Sequence, residues 1–343
     1  MILTYNLSKC LILYRQGKLE NDILHPDSDS HIDTWNKFAM ELMRIRGTSP
    51  TRINFSYIDR TGAVPSFINT YIPHDQLIPA GPPQYSDYID ICKSRARELL
   101  ATGKQINVMW SGGLDSTVAL FALIDQASNL DQINVLCTFE SILEAGSLFD
   151  QYLKNSKIRL KFEQTRFECN LPYSYDQEDP TQLYVNGQCG DQLFGPKTSL
   201  SVPGVSLTDP WYNAYKKDFM DLIAPSVKFS ARPIETVRDL KWWLFFNHTW
   251  TTVIHDSMLD RPTDVNRRTH AFYATPEFQR WAITTPTYYE DTEQYRWPAK
   301  QALSQLINCD YYVKNKTKSL SSTWKHRQDW YAMDSEFKTL YEN

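Results

Sequence analysis

The 343-residue sequence predicts an α/β protein: a parallel β-sheet sandwiched by helices, with a helical C-terminal lobe and a small mixed α+β N-terminal segment. Three observations lead there. Between residues 88 and 185, short apolar runs alternate with amphipathic stretches, as strands covered on both faces and their crossover helices do. From about residue 209 the apolar spacing becomes helical throughout. Pro79, Gly81, Pro82 and Pro83 break the chain just before the alternation starts, dividing it into domains of residues 1–83 and 84–343.

In the first segment, residues 9–14 and 53–58 read as strands, with a hairpin turn at Gln16-Gly17-Lys18. Between them Ile32, Trp35, Phe38, Ala39, Leu42 and Met43 recur at helical spacing, and Gly47 supplies a stop. After the break, residues 88–101 form a helix with Ile89, Cys92, Ala96, Leu99 and Leu100 on one face, ended by Gly103. Residues 106–110 follow as a strand, 115–128 as a helix, 133–139 as a strand, 143–153 as a helix and 158–162 as a strand. A further strand at 182–185 enters Asn186-Gly187. Helices are expected at 211–223, 233–252, 276–283 and 292–307, before a polar, basic tail from Asn308.

Composition narrows the function classes. The chain is 42% hydrophobic and 22% charged, an ordinary globular balance, and its net charge of −4 offers no basic surface for nucleic acid. Six cysteines without a C-x-x-C pair argue against zinc knuckles and a disulfide framework and fit a reducing compartment. Met1 to Asn6 lacks the charged start of a signal peptide, and no apolar run reaches membrane length, so a cytoplasmic protein without membrane partners is expected. None of the seven histidines falls into H-x-x-x-H or H-E-x-x-H spacing. His248 and His255 share a helical face, and His255-Asp256 and His270 are candidate acceptor-site groups by neighbourhood.

The strongest signal is Val108-Met109-Trp110-Ser111-Gly112-Gly113-Leu114-Asp115-Ser116-Thr117, an apolar strand running through Ser-Gly-Gly into a helix. Two glycines let successive N–H groups point into one concavity, where the helix N-terminus adds its positive end. Ser111, Ser116 and Thr117 can donate hydroxyl hydrogen bonds to the same anion. Asp115 would repel a phosphate, so it makes chemical sense as a ligand for Mg²⁺ bridging to one. The loop is not a Walker A motif, and no G-x-G-x-x-G is present.

Ser111-Gly112-Gly113-Leu114-Asp115-Ser116 is similar to the PP-loop signature of the N-type ATP pyrophosphatases, a family with an adenine nucleotide alpha hydrolase-like fold. There the loop holds the pyrophosphate of ATP while a substrate oxygen attacks the α-phosphorus. The resemblance implies ATP and Mg²⁺ as cofactors, with nucleotide contacts from Ser111, Gly112, Gly113, Leu114, Asp115, Ser116 and Thr117. A second segment, Asn186-Gly187-Gln188-Cys189-Gly190-Asp191-Gln192-Leu193-Phe194-Gly195, resembles the G-x-G-x-D-E-x-F-G motif of asparagine and β-lactam synthetases. It implies Asn186 and Gly187 near the nucleoside and Asp191 as a second metal ligand beside Asp115. Residues 266–272 resemble those enzymes' E-x-R-x-P-F segment, and residues 312–318 their stretch bearing a catalytic lysine. Lys316 aligns with that lysine, and Lys314 or Lys318 could take its place.

The departures fall on the acceptor half. Gln188, Asn266 and Gln192 stand where the family carries acidic residues or a tyrosine, and no amide acts as a general base. Cys189 occupies the motif's second glycine position, with Gly190 one place late. Ile2 stands where glutamine-dependent members carry their cysteine nucleophile, about 80 residues are too few for that domain, and Cys10 sits in a strand pattern. The expected activity is therefore an AMP-forming ligase resembling asparagine synthetase but without a glutaminase domain. It adenylates a carboxylate or similar oxygen of a small-molecule or peptide acceptor, then forms an amide with ammonia or an amine. A PP-loop enzyme acting on a nucleobase carbonyl and a degenerate ATP-binding protein remain the alternatives, and the oligomeric state is open.

Overall fold

The computed structural model describes residues 59–63, 78–154, 156–162, 179–195, 204–215, 217–250, 253–254, 268–285 and 296–309. The strands read at 9–14 and 53–58, the helix between them, Cys10, His255, Asn266 and Lys314, Lys316 and Lys318 lie outside these residues. The chain divides into two units: one contains residues 85–188, 261–273 and 296–343, the other residues 1–84, 189–260 and 274–295.

The first unit holds a five-stranded, all-parallel sheet. Its strands are β1 (Gln105–Met109), β2 (Ile133–Cys137), β3 (Arg159–Phe162), β4 (Gln182–Asn186) and β5 (Thr269–Ala271). They lie in the order β3-β2-β1-β4-β5, so the sequence of pairing reverses between β1 and β4. All of β2, and all but the first residue of β1 and β4, is buried, which requires cover on both faces and explains their apolar composition. Apolar runs alone leave register loose, and a buried amide ladder tightens it here. Asn134 Nδ2 donates to Asn107 Oδ1 at 2.8 Å, and Asn107 Nδ2 donates to Gln182 Oε1 at 2.7 Å, tying β2 to β1 and β1 to β4. A one-residue slip would strand these amides in an apolar sheet.

Two helices of this unit flank β1 in the chain. Helix α1 (Tyr88–Leu100) buries Cys92, Ala96 and Leu99 of the face read from its spacing and also Ile91, which that reading left out, while Leu100 and Ile89 lie at its margin. Helix α2 (Leu114–Gln126) follows β1 directly and is buried along nearly its whole N-terminal half. After β2 the helix begins earlier than the spacing suggested, at α3 (Phe139–Glu144), because Thr138 and Ser141 form a reciprocal capping box. The chain then passes through Gly146–Leu148 into a π-helical turn, Phe149–Leu153. The strand at β5 went unread because three residues are too few to show a period.

The described elements of the second unit are helices: α4 (Gly190–Phe194), α5 (Trp211–Ala214), α6 (Lys217–Val227), α7 (Val237–His248) and α8 (Pro276–Thr284). The expected helix at 211–223 is two, interrupted at Tyr215, whose extended backbone leaves the helical region. Helix α7 starts at Val237 because Thr236 and Asp239 cap it reciprocally. Its Trp242, Trp243 and Phe246 pack with Trp250 into an aromatic core, Trp242 stacking on Phe246 at 5.0 Å between centroids. Residues 59 and 60 belong to the same core: Arg60 donates to Gln279 Oε1 at 2.6 Å and to the Phe246 carbonyl at 2.7 Å. The proline-rich break is also pinned to this unit, with Arg280 donating to the Ala80 carbonyl at 2.9 Å. The last helix, α9 (Trp297–Ile307), returns to the sheet unit. Among the described residues no helix is long and apolar enough to cross a membrane.

Candidate functional site

In open parallel sheets, ligands sit outside the carboxyl ends of the strands where the order reverses. Here that point lies between β1 and β4, and the two segments singled out from the sequence leave the sheet at these two strand ends. Trp110 is buried below the loop, and Ser111-Gly112-Gly113 turns the chain into α2. Gly112 adopts a φ of 72°, and a Cβ on it would lie 2.2 Å from the Ser141 carbonyl oxygen, so the turn is seated on the start of α3 and admits only glycine. Gly113 stands at the N-cap without a side-chain cap for the first turn of α2, the arrangement that leaves helix N–H groups to an anion.

The hydroxyls divide their work differently from the expectation. Thr117 is fully buried, donates to the Gly113 carbonyl at 2.7 Å and accepts from the Trp110 indole N–H at 3.0 Å. Its single proton is committed, because a threonine four residues along a helix bonds back to the preceding turn. Thr117 braces the loop. Ser116 is buried too: its Oγ donates to the Gly113 carbonyl at 3.1 Å, accepts from Ser111 N at 3.2 Å and lies 3.0 Å from Ser111 Oγ. Ser116 therefore also braces the loop, and Ser111 is the hydroxyl left to a ligand. Leu114 is buried and contributes its backbone.

From β4 comes the other wall. Asn186 is 1% exposed, and its Oδ1 accepts from Gln188 N at 3.1 Å. Its Nδ2 is buried without a hydrogen-bond partner, an orphaned donor at a strand end where a ligand acceptor is expected. Gly187 lets β4 pass against α2: a Cβ there would come within 2.6 Å of Ser116 N. These contacts give Gly187 a packing reason independent of any nucleoside.

Asp115 lies in the first turn of α2, its side chain 16% exposed and held by the guanidinium of Arg296, itself 13% exposed. The Tyr273 hydroxyl, just past β5, donates to the Asp115 carbonyl at 2.8 Å. Tyr273 stacks on Tyr88 at 6.4 Å between centroids, and burial pushes both phenols well above their ordinary pKa, so neither titrates in the physiological range. Cys92 and Cys137 are likewise held as thiols by burial and offer no nucleophile. Arg296 and Tyr273 were not singled out from sequence. One local sign existed for Arg296, since Pro298 in the first turn of α9 marks a helix start there, against the expected start at 292.

Asp191 stands exposed in α4 and belongs to the helical unit, so its role as a second carboxylate rests on the motif alone. Cys189 has a φ of 69°, the left-handed conformation a glycine would take, so the turn keeps a glycine geometry on a cysteine. Phe194 and Gly195 are packing residues: Phe194 meets Trp281 edge-on at 5.8 Å, and a Cβ on Gly195 would lie 3.2 Å from Trp242. His270, on β5, is partly buried, and its pKa is lowered chiefly by that burial. Arg268 donates to the Asp179 carbonyl and lies 5.9 Å from the Tyr184 ring, a bracing role within the sheet unit.

Asp115 is an oxygen donor of the kind that a hard cation carried by a phosphate would take. Among the described residues no three His, Cys, Asp or Glu gather into a metal cage. Mg²⁺ with a triphosphate needs only one or two carboxylates, because phosphates and water fill its remaining positions. Asp115 already attracts a cation in the form of Arg296, at the end of the helix where phosphate charge would lie. Compared with protein-family models, curated proteins and solved structures, the chain matches none of them.

Proposed function

We propose that this protein is a Mg²⁺-ATP-dependent, AMP-forming ligase of the PP-loop type, activating a carboxylate or similar oxygen for attack by ammonia or an amine. The observation that carries the reading is the pairing of strand ends. An uncapped helix N-terminus after Ser111-Gly112-Gly113 stands beside a buried, unpartnered Asn186 amide where the strand order reverses. The motif resemblance selects pyrophosphate release among the reactions such a cradle could serve.

In this reading, the N–H groups at the head of α2 and the Ser111 hydroxyl hold the departing pyrophosphate oxygens, while Ser116 and Thr117, both donating to the Gly113 carbonyl, keep the loop's shape. Asn186 Nδ2 donates to an oxygen of the nucleotide. Asp115 would hold Mg²⁺, which would supply charge neutralisation for the triphosphate. The acceptor carboxylate attacks the α-phosphorus and the bond to pyrophosphate breaks, giving an acyl-adenylate. An amine then attacks the acyl carbon, AMP leaves, and the amine's proton passes to solvent. Lys316, by resemblance, offsets charge on the phosphoryl oxygens in the first step.

The test is product analysis. Purified protein, [α-³²P]ATP, Mg²⁺ and a panel of carboxylates and amines should give acceptor-dependent AMP and pyrophosphate, lost on Asp115→Asn. Formation of ADP and phosphate, or turnover unchanged in that variant, would sink the assignment.

A further inference from the structure

The phosphate-loop reading leaves one contact unexplained. A carboxylate suited to a metal ion is already occupied by Arg296. The arginine is firmly based. It is the N-cap of α9 with φ 58° and ψ 33°, Pro298 fixes the following turn, and its carbonyl accepts from Lys300 N at 3.1 Å. A non-glycine residue is disfavoured in the left-handed region, so this backbone is held by its surroundings, and the side chain is what can move. Asp115 is fixed from the other side, in the first turn of α2 and through the Tyr273 hydroxyl on its carbonyl.

From this we infer that Arg296 is a positioning residue that makes divalent-cation binding at Asp115 conditional on nucleotide. The inference rests on the phosphate-loop reading and adds a regulation to it. A guanidinium and a divalent cation cannot both take Asp115 Oδ2, the oxygen that Arg296 Nη2 contacts, and the guanidinium's charge opposes a cation at the neighbouring oxygen. With no nucleotide present, a cation reaching Asp115 must separate a mostly buried ion pair, which is unfavourable. Polyphosphate at the head of α2 removes that penalty. The planar fork that pairs with a carboxylate also pairs with phosphate oxygens, so Arg296 can exchange one for the other while Asp115 passes to the metal. Binding of nucleotide and of cation are thereby coupled, and the coupling is reciprocal.

Mn²⁺ binding to the full-length protein without nucleotide, followed by electron paramagnetic resonance, reads this directly. Arg296→Gln should bind Mn²⁺ alone at least about tenfold more tightly than wild type, a coupling of ordinary size. Arg296→Lys, whose ammonium lacks the second arm of the fork, should fall between them, about threefold tighter. A purely structural role would lower affinity rather than raise it. If either variant retains wild-type circular dichroism and binds Mn²⁺ no more tightly than wild type, the inference is overturned. Calorimetric titration of wild type with α,β-methylene-ATP and Mg²⁺ tests the underlying reading separately. Absence of binding there removes the phosphate site itself, whatever the Mn²⁺ result.

Discussion

Gly187→Ala is the sharpest probe of how the two strand ends are joined. The added Cβ would lie 2.6 Å from Ser116 N and 3.0 Å from both Asp115 C and Ser116 Cα, against an ordinary contact distance of 3.4 Å or more. All three atoms are backbone in the first turn of α2, so no side-chain rotation relieves the overlap. Either the end of β4 or the head of α2 must retreat by several tenths of an ångström. Overpacking against a rigid neighbour costs about 1–3 kcal/mol, and urea denaturation should show a loss in that range. The same displacement turns the helix N–H groups away from their anion, so α,β-methylene-ATP affinity should fall on the order of tenfold, because such bonds weaken steeply off their optimum. Gly146→Ala is the control. Nothing lies within 4 Å of its Cβ position, and stability there should be unchanged or up to about 1 kcal/mol higher. Wild-type stability and nucleotide affinity in Gly187→Ala would refute the claim that this glycine is required by close approach.

Two further predictions concern the helical unit. Arg60→Met keeps bulk but removes the donors to Gln279, Phe246 and Asn247 and the guanidinium 4.6 Å from the Phe246 ring. Breaking a buried charged network of this kind should cost about 3–5 kcal/mol in urea denaturation, and a loss below about 1 kcal/mol would show the network to be dispensable. His248 is fully buried, and burial lowers its pKa to about 4, with Asp59 raising it and Arg60 lowering it further. The unfolded chain takes up that proton near pH 6.5, so between pH 6.5 and 4 it binds more protons than the native state. Stability should fall with acidification across that window, by roughly 3 kcal/mol in all. His248→Asn should flatten the slope, and an unchanged slope would assign it to another group.

Much of the fold was legible in the sequence because its elements are locally specified. The strands β1, β2 and β4 are mostly apolar, each with one buried asparagine, and glycine or polar residues follow soon after each of them. The Ser111 to Thr117 loop was legible for the same reason, since its glycines, its hydroxyls and the following helix are consecutive. Short elements were not: α3 is decided by the Thr138–Ser141 capping box, and β5 by pairing with β4 across a long stretch of chain.

The sequence by itself determined the α/β class and the strand-loop-helix turn at Ser111 to Thr117. Only the tertiary structure decided the order β3-β2-β1-β4-β5, which sets Asn186 and Gly187 beside that turn. It also decided that Thr117 faces inward as a brace and that Asp115 pairs with Arg296, 181 residues away in the chain. The physical reason is range. Periodicity, capping and turn chemistry act over a few residues and leave a mark in the sequence. A charge pair between two helix ends depends on how those helices pack and leaves none.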